Sequence, residues 1–443
     1  MKCKIFISIV LFSILISGCS NEKDSGNEGI NSQGELEGEI TFWHSFTQGP
    51  RKQYIEDVAK EFVTENPKVK INIETFAWPE FYTKWTTGLQ AGQVPDASTA
   101  LPNHVVEMLD AHALAPVDDV IDDIGRNRFY DGPLREGEQN KKHYSVPLYS
   151  HAQVMWYRKD LLKKNGLDVP ATWQELMEAA DKINNPPSVY GLSVPMGQGD
   201  MMATRFLNFY VRSGGGTLLK DGKVDLTSDL AQEGIKYWID MYKKTSPQGS
   251  INFKVLDQAT LFYQGKTAFD FNSGFQIDGV ATNSPNLVDD IAAAPIPKIN
   301  ENDPDRGIET SNIPIVIWKH SNKKAIAKAF IEKLYSEEDY IKFLHAVPGG
   351  MLPALKDVAK NPKYLENPII QQFKSSIDTI QKSVNNGTAI GMENGPNIES
   401  GILTSQSIIE KMFQDIVLKD ESVKEASEKA EKELNRLFEI STK

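Results

Sequence analysis

Residues able to do covalent chemistry are plentiful in this chain, but their spacing assembles none of the familiar reactive sites. The seven histidines stand at positions 44, 104, 112, 143, 151, 320 and 345, without the intervals that metal ligands share. His104 and His112 lie close enough to share a helix face, but no acidic or cysteine partner completes a set, so surface histidines are expected. Gly265-Lys266-Thr267 looks like the end of a phosphate-binding loop, yet Thr260 stands where that loop needs a glycine. Gly191-Leu192-Ser193-Val194-Pro195 lacks the closing glycine of a nucleophile elbow. Sixty acidic residues permit paired carboxylates of the glycoside-cleaving kind. Asp118-Asp119, Asp122-Asp123 and Asp289-Asp290 nevertheless read as solvated turns or helix starts. The pattern indicates no enzyme, no metal and no cofactor.

The first nineteen residues carry a different chemistry. Lys2 and Lys4 precede an apolar run from Ile5 to Ile16, and the run stops at Ile16-Ser17-Gly18-Cys19. A basic front, an apolar stretch too short to span a bilayer and small residues before a cysteine make a lipoprotein export signal. Residues 1–18 are expected to be removed, with Cys19 lipidated as the new first residue and membrane attachment resting on that lipid. Cys3 leaves with the signal, so neither disulfide nor cysteine ligand remains. Residues 19–38, rich in Gly, Ser and Asn, read as a flexible tether. The net charge of -12, with no clustered positive run, argues against a nucleic-acid partner.

Behind the tether, the elements that must position any site follow a βα rhythm. Glu39 to Trp43 and Val69 to Glu74 read as strands, the second by its two-residue alternation. Between them Ile55, Val58, Ala59 and Phe62 recur at helical spacing, and Pro79 opens a further helix through Leu89. Strands alternating with helices imply parallel pairing with helices on both faces. Further strands are expected at 144–149, 190–194, 267–271, 291–296 and 313–318. Thr172-Trp173-Gln174-Glu175 is a capping box opening a helix through Ile183. Beyond Pro353 the pattern is helical, ending in 422–438 with a stripe of Val423, Ala426, Ala430, Leu434 and Leu437. The fold class is α/β with a helical C-terminal region, divided into two lobes.

Several segments in order carry a resemblance. They are Ile40-Thr41-Phe42-Trp43-His44, Asn66-Pro67-Lys68-Val69-Lys70-Ile71, Gly92-Gln93-Val94-Pro95-Asp96, Tyr144-Ser145-Val146-Pro147-Leu148 and Trp156-Tyr157-Arg158-Lys159-Asp160. Pro170-Ala171-Thr172-Trp173, Gly265-Lys266-Thr267-Ala268-Phe269 and Gly350-Met351-Leu352-Pro353 continue the series. Together they resemble the ABC-transporter sugar-binding lipoproteins of maltose and multiple-sugar type. Locally, Pro67 ends a helix and Asp160 reads as an N-cap.

The resemblance implies a periplasmic-binding-protein-like fold whose hinged lobes enclose a ligand cleft. Lobe one is expected over 39–147 plus about 304–350, and lobe two over 148–303 plus 351–443. It implies a monomer that binds an oligosaccharide and serves the permease subunits of an ABC importer. Sugar rings stack on aromatic side chains and offer hydroxyls to polar ones, which selects loop residues at strand ends. In lobe one these are Trp43, His44 and Ser45, then Trp78 and Phe81, and Asp96 and Ser98; Tyr149 and His151 lie at the proposed crossover, and Met351 in the Gly-x-x-Pro turn. In lobe two they are Gln198 and the run Asn272, Ser273 and Phe275, the last standing near where many relatives present a tryptophan. Trp85, Trp156, Trp173 and Trp238 read as core, and Met392-Glu393-Asn394-Gly395-Pro396 as a simple connection. The rival readings are a polyamine- or metal-binding receptor of the same fold and a lipoprotein enzyme acting on polysaccharide.

Overall fold

The structure, a computed structural model, describes residues 28–47, 49–306 and 309–441. The expected signal peptide, Cys19 and the first part of the tether lie outside them. Ten strands set the frame: β1 (Gly38–His44), β2 (Val69–Thr75), β3 (Ala97–Thr99), β4 (Val146–Ala152), β5 (Val154–Arg158), β6 (Tyr190–Leu192), β7 (Thr267–Asn272), β8 (Ile291–Ala294), β9 (Thr310–Ile317) and β10 (Leu352–Pro353). The helices that matter to the site are α1 (Gly49–Glu65), α2 (Trp78–Ala91), α3 (Pro102–Asp110), α4 (Trp173–Ile183), α5 (Met202–Ser213), α6 (Phe275–Asn283), α7 (Lys324–Leu334), α8 (Glu337–Leu344), α9 (Lys374–Asn386), α10 (Ile398–Ser405) and α11 (Val423–Ser441).

The strands form two principal sheets, and the main core reaches from one to the other through Val154 and Trp156 of β5 and Ile291 of β8, while Met155, Phe269 and Phe271 face a second core. The first sheet runs β10-β4-β9-β3-β1-β2 and the second β8-β5-β7-β6. Alternation along β1 explains the packing of the first: Ile40 and Phe42 enter the main core, where Phe42 meets Phe330 edge-on at 5.3 Å, while Trp43 points into a separate aromatic cluster. Tyr54, Ile55, Val58, Ala59 and Phe62 make the buried face of α1. Around the second sheet, Trp173 and Trp238 sit within a cluster that includes Phe206 and Phe271. Trp85 and Trp156 are also buried, as their sequence positions suggest.

The pairing is mixed rather than parallel throughout. β1 pairs in parallel with β2 and β3, and β7 with β6. β9 runs antiparallel to β3 and β4, while β5 runs antiparallel to β7 and β8. The reason lies in the connections: β4 and β5 are consecutive strands of different sheets, and β9 returns from lobe two, so neither arrives through a helical crossover.

Other local expectations meet specific outcomes. Thr172 accepts from the Glu175 N–H at 3.2 Å, and Glu175 accepts from the Thr172 N–H at 3.1 Å, closing the capping box that opens α4. Asp160 is no N-cap: the helix begins one residue earlier, and the carboxylate is held by the Arg158 guanidinium at 2.6 Å. Along α11 the stripe runs Ala426, Ala430, Leu434 and Phe438, each four residues from the last, so Phe438 takes the place expected of Leu437.

Residues 28–37 are folded, which corrects the tether reading for that part. Asn31 Oδ1 accepts from the backbone N–H groups of Gln33 and Glu35, each at 3.0 Å, and Ile30 bridges Leu36. The Ala325 N–H at the start of α7 donates to the Glu28 carbonyl at 2.9 Å. A polar segment orders here because a preformed helix end and one asparagine-built turn supply partners that composition does not reveal.

Candidate functional site

Three passes of the chain lie side by side where the sheets meet. The first is Gln153, between β4 and β5, whose N–H donates to the Glu309 carbonyl at 2.8 Å. The second is Glu309, leading into β9, which bridges Thr388 in parallel. The third is the segment after α9, where the Thr388 carbonyl accepts from the Thr310 N–H at 3.2 Å. Hydrogen-bonded single passes between two sheets are a hinge: few dihedrals need change for the lobes to move.

Charged side chains are sealed into this hinge. Arg205, on α5, holds Glu309 with Nε at 2.9 and 3.0 Å from the two carboxylate oxygens, and both side chains are buried. Burial raises the Glu309 pKa, and the Arg205 charge opposes that rise. Close by, Glu136 accepts from Asn312 Nδ2 at 2.6 Å and from the Ala389 N–H at 3.2 Å, while burial pushes its carboxyl up to about 7. Beside the hinge is a cavity lined by Leu101, Pro102 and Asn103 of lobe one, Met201 of lobe two, and Glu309 to Ser311 of the crossover. Its free interior, about 40 Å³, holds water but no sugar ring.

From Ser311, paired with His151 across β9 and β4, a line of rings leads outward. The His151 ring meets Phe275 edge-on at 6.0 Å and lies 6.5 Å from Tyr149, which in turn lies 6.2 Å from Phe46. Arg51, in the first turns of α1, sits over both Phe46 (5.2 Å) and Phe275 (5.6 Å) and so touches both lobes. Burial and the Arg205 charge lower the His151 pKa to about 3, so its imidazole is neutral. Its Nδ1 and the Ser45 Oγ are both buried without a hydrogen-bond partner. Phe275 is placed here by a close backbone contact: a Cβ on Gly274 would stand 1.8 Å from the Gly349 carbonyl oxygen, so only glycine fits at that position.

Of the residues selected from sequence, Ser45, Tyr149, His151 and Phe275 belong to this wall, and Asn272 and Ser273 form the turn that presents Phe275. Asn272 Oδ1 accepts from the Ser273 N–H at 2.9 Å, and the Ser273 carbonyl accepts from Trp156 Nε1 at 2.9 Å. The others have structural partners instead. Trp43 meets Phe76 and Phe81 edge-on, and Phe81 is fully buried. Trp78, half-buried, packs on Phe81 and on His104 of α3. His44 is fully buried: its Nδ1 accepts from the Phe46 N–H at 3.1 Å, and burial lowers its pKa to about 4. Ser98 is buried under Trp318 Nε1 at 3.0 Å, and Asp96 ties Thr41 N–H (2.8 Å) to the Ser321 hydroxyl (2.6 Å). Met351 lies in the main core, and Gln198 is exposed on lobe two, donating to Gln414 at 2.6 Å.

Two further expectations change. His104 is buried rather than on the surface, its ring packed among those of Phe81, Tyr82 and Trp85, whereas His112 is exposed. Met392 lines the hinge cavity, so its loop is more than a connection. Arg51, Arg205 and Glu309 went unselected in sequence; the only trace of Arg51 is its place just after the first strand-end loop.

Residues 47–341 match the family described as bacterial extracellular solute-binding protein. The Escherichia coli (strain K12) protein YcjN is 23% identical over 450 residues, covering 99% of each chain. The arabinooligosaccharide-binding protein of Bacillus subtilis (strain 168) is 26% identical over 358 residues, covering 77% of this chain and 78% of its own. A Thermotoga lettingae ABC transporter solute-binding protein, solved with α-D-tagatose, superposes with a TM-score of 0.76 at 21% identity, covering 90% of this chain and 99% of its own. At that identity the likeness speaks to fold.

Proposed function

Because the chain belongs to the bacterial extracellular solute-binding proteins, we propose that it is a receptor that closes its two lobes on an oligosaccharide. It then hands the sugar to the membrane-spanning permease subunits of an ABC importer. It acts as a monomer held outside the membrane by lipid on Cys19, a residue outside the described segment. Among the described residues no helix is long and apolar enough to cross a membrane.

One observation carries the reading: Phe275, part-exposed, meets the His151 ring and lies under the Arg51 guanidinium beside a hinge, with the buried rings of Tyr149 and Phe46 behind them. Rings suit the apolar C–H faces of pyranoses, and the unpartnered Ser45 Oγ and His151 Nδ1 suit hydroxyls. The small hinge cavity belongs to a closed arrangement, so lobe separation must precede sugar binding. Ligand then shifts the population by binding the closed state better.

The cleft favours binding over chemistry. Its buried carboxylates, Glu309 and Glu136, are each engaged by protein donors, which suits scaffolding better than acid/base catalysis. A polyamine would meet the Arg51 cation. Binding is tested with a panel of neutral and acidic oligosaccharides, read by melting temperature and tryptophan emission. One glycan class is expected to raise the first and shift the second. Amino acids, peptides or polyamines doing so, with every glycan silent, would overturn the ligand class.

A further inference from the structure

We infer that the sugar this cleft takes carries a carboxylate, as in a uronic acid, and that Arg51 reads it. This rests on the oligosaccharide reading above and narrows it.

The starting point is an imbalance of charge. The chain has twelve more acidic than basic residues, so a lone cation at a cleft is against the trend. Arg51 is half-buried between the lobes, and no carboxylate pairs with it among the described residues, although other arginines bordering the cleft and hinge have partners. Arg205 is matched by Glu309 at 2.9 Å and Arg212 by Glu393 at 2.5 Å. What engages Arg51 is apolar or neutral: the rings of Phe46 and Phe275, and the phenol of Tyr149.

Rings hold a guanidinium by its face, and beyond the donor that the Tyr149 phenol engages, the rest of its N–H edge is available. That edge matches a planar carboxylate with two parallel hydrogen bonds, the strongest recognition arginine makes. The surroundings supply the rest of a sugar acid's needs. Ser45 Oγ, nine-tenths buried and without a partner, offers a hydroxyl next to Phe46. His151, neutral and with Nδ1 unpartnered, offers a ring nitrogen beside Phe275. The hinge carboxylate of Glu309 is paired with Arg205, which offsets its repulsion of an anion.

The test measures affinity by calorimetry for galacturonate and glucuronate trisaccharides, the methyl ester of each, and a sulfated disaccharide. The inference expects at least one uronate to bind about tenfold or more tighter than its ester, a difference that shrinks with added salt and vanishes in Arg51→Gln. The ester comparison uses unaltered protein, so it stands even if the variant folds poorly. Equal binding of acid and ester, retained preference in Arg51→Gln, or preference for the sulfated sugar alone would overturn it. Tight binding of neutral glycans only defeats the charge assignment and leaves the sugar reading intact. Silence from every acidic and neutral glycan defeats both.

Discussion

Replacing Phe275 with alanine removes the lobe-two wall of the cleft while sparing the buried turn that presents it. Phe275 is only half-buried, so the fold loses about 1–2 kcal/mol, less than a fully buried phenylalanine costs. Binding loses more in proportion. One ring face offers roughly 50 Å² to a sugar, which at about 25 cal/mol per Å² is about 1.3 kcal/mol. The Arg51 guanidinium 5.6 Å from the ring centroid also loses a partner that helps bring the lobes together, adding about 0.5–1 kcal/mol. Together these give about 2 kcal/mol, or about thirtyfold in Kd. Calorimetric titration of Phe275→Ala with the oligosaccharide that most raises the melting temperature reads this directly. Phe275→Trp is expected to restore or exceed the native affinity, since it enlarges the stacking face. An affinity within about threefold of native in the alanine variant, with its circular dichroism unchanged, would refute the reasoning.

Three other outcomes follow from the structure. His104 is buried among Phe81, Tyr82, Trp85 and Trp78 with Nδ1 unpartnered, and burial alone lowers its pKa from 6.5 to about 3. Its contribution to stability is therefore complete above pH 6.5 and falls away with acid, by about 2 kcal/mol between pH 7 and pH 5. Urea unfolding of His104→Leu should lack that share of the pH dependence; an unchanged dependence would count against a neutral buried ring. Arg205→Met leaves the buried Glu309 uncompensated and should cost about 3–5 kcal/mol in chemical denaturation, part of which Arg205→Met with Glu309→Leu recovers. Cys19→Ala in the full chain should move the protein from the membrane to the soluble fraction of fractionated cells; persistence in the membrane would remove the lipid anchor.

What the sequence makes legible is local. The Thr172-Glu175 capping box, the α1 face of Ile55, Val58, Ala59 and Phe62, and the buried tryptophans follow from spacing a few residues long. Strand direction was less accessible, because β9 reaches its neighbours from the other lobe and no local signal records that. The site divides in the same way. Phe275 and His151 announce themselves as strand-end residues, whereas the role of Arg51 depends on Phe275, more than two hundred residues away, closing over it. Trp43, at the end of β1, and Phe81, on α2, read as site residues, but both side chains turn into the cluster of Trp85 and Trp318 rather than the cleft. Ile30 and Leu36 sit in a segment whose composition predicts a tether, and α7 together with Lys68 beside β2 gives it partners to fold against.

The central claim is that two hinged lobes close on a sugar held against Phe275 and His151. Solution scattering with and without the oligosaccharide that raises the melting temperature tests it most directly. The account predicts a saturable fall in radius of gyration, abolished in Phe275→Ala at the same sugar concentration. Saturable binding with an unchanged radius would contradict it, because the sugar would then occupy a surface that lobe closure does not involve.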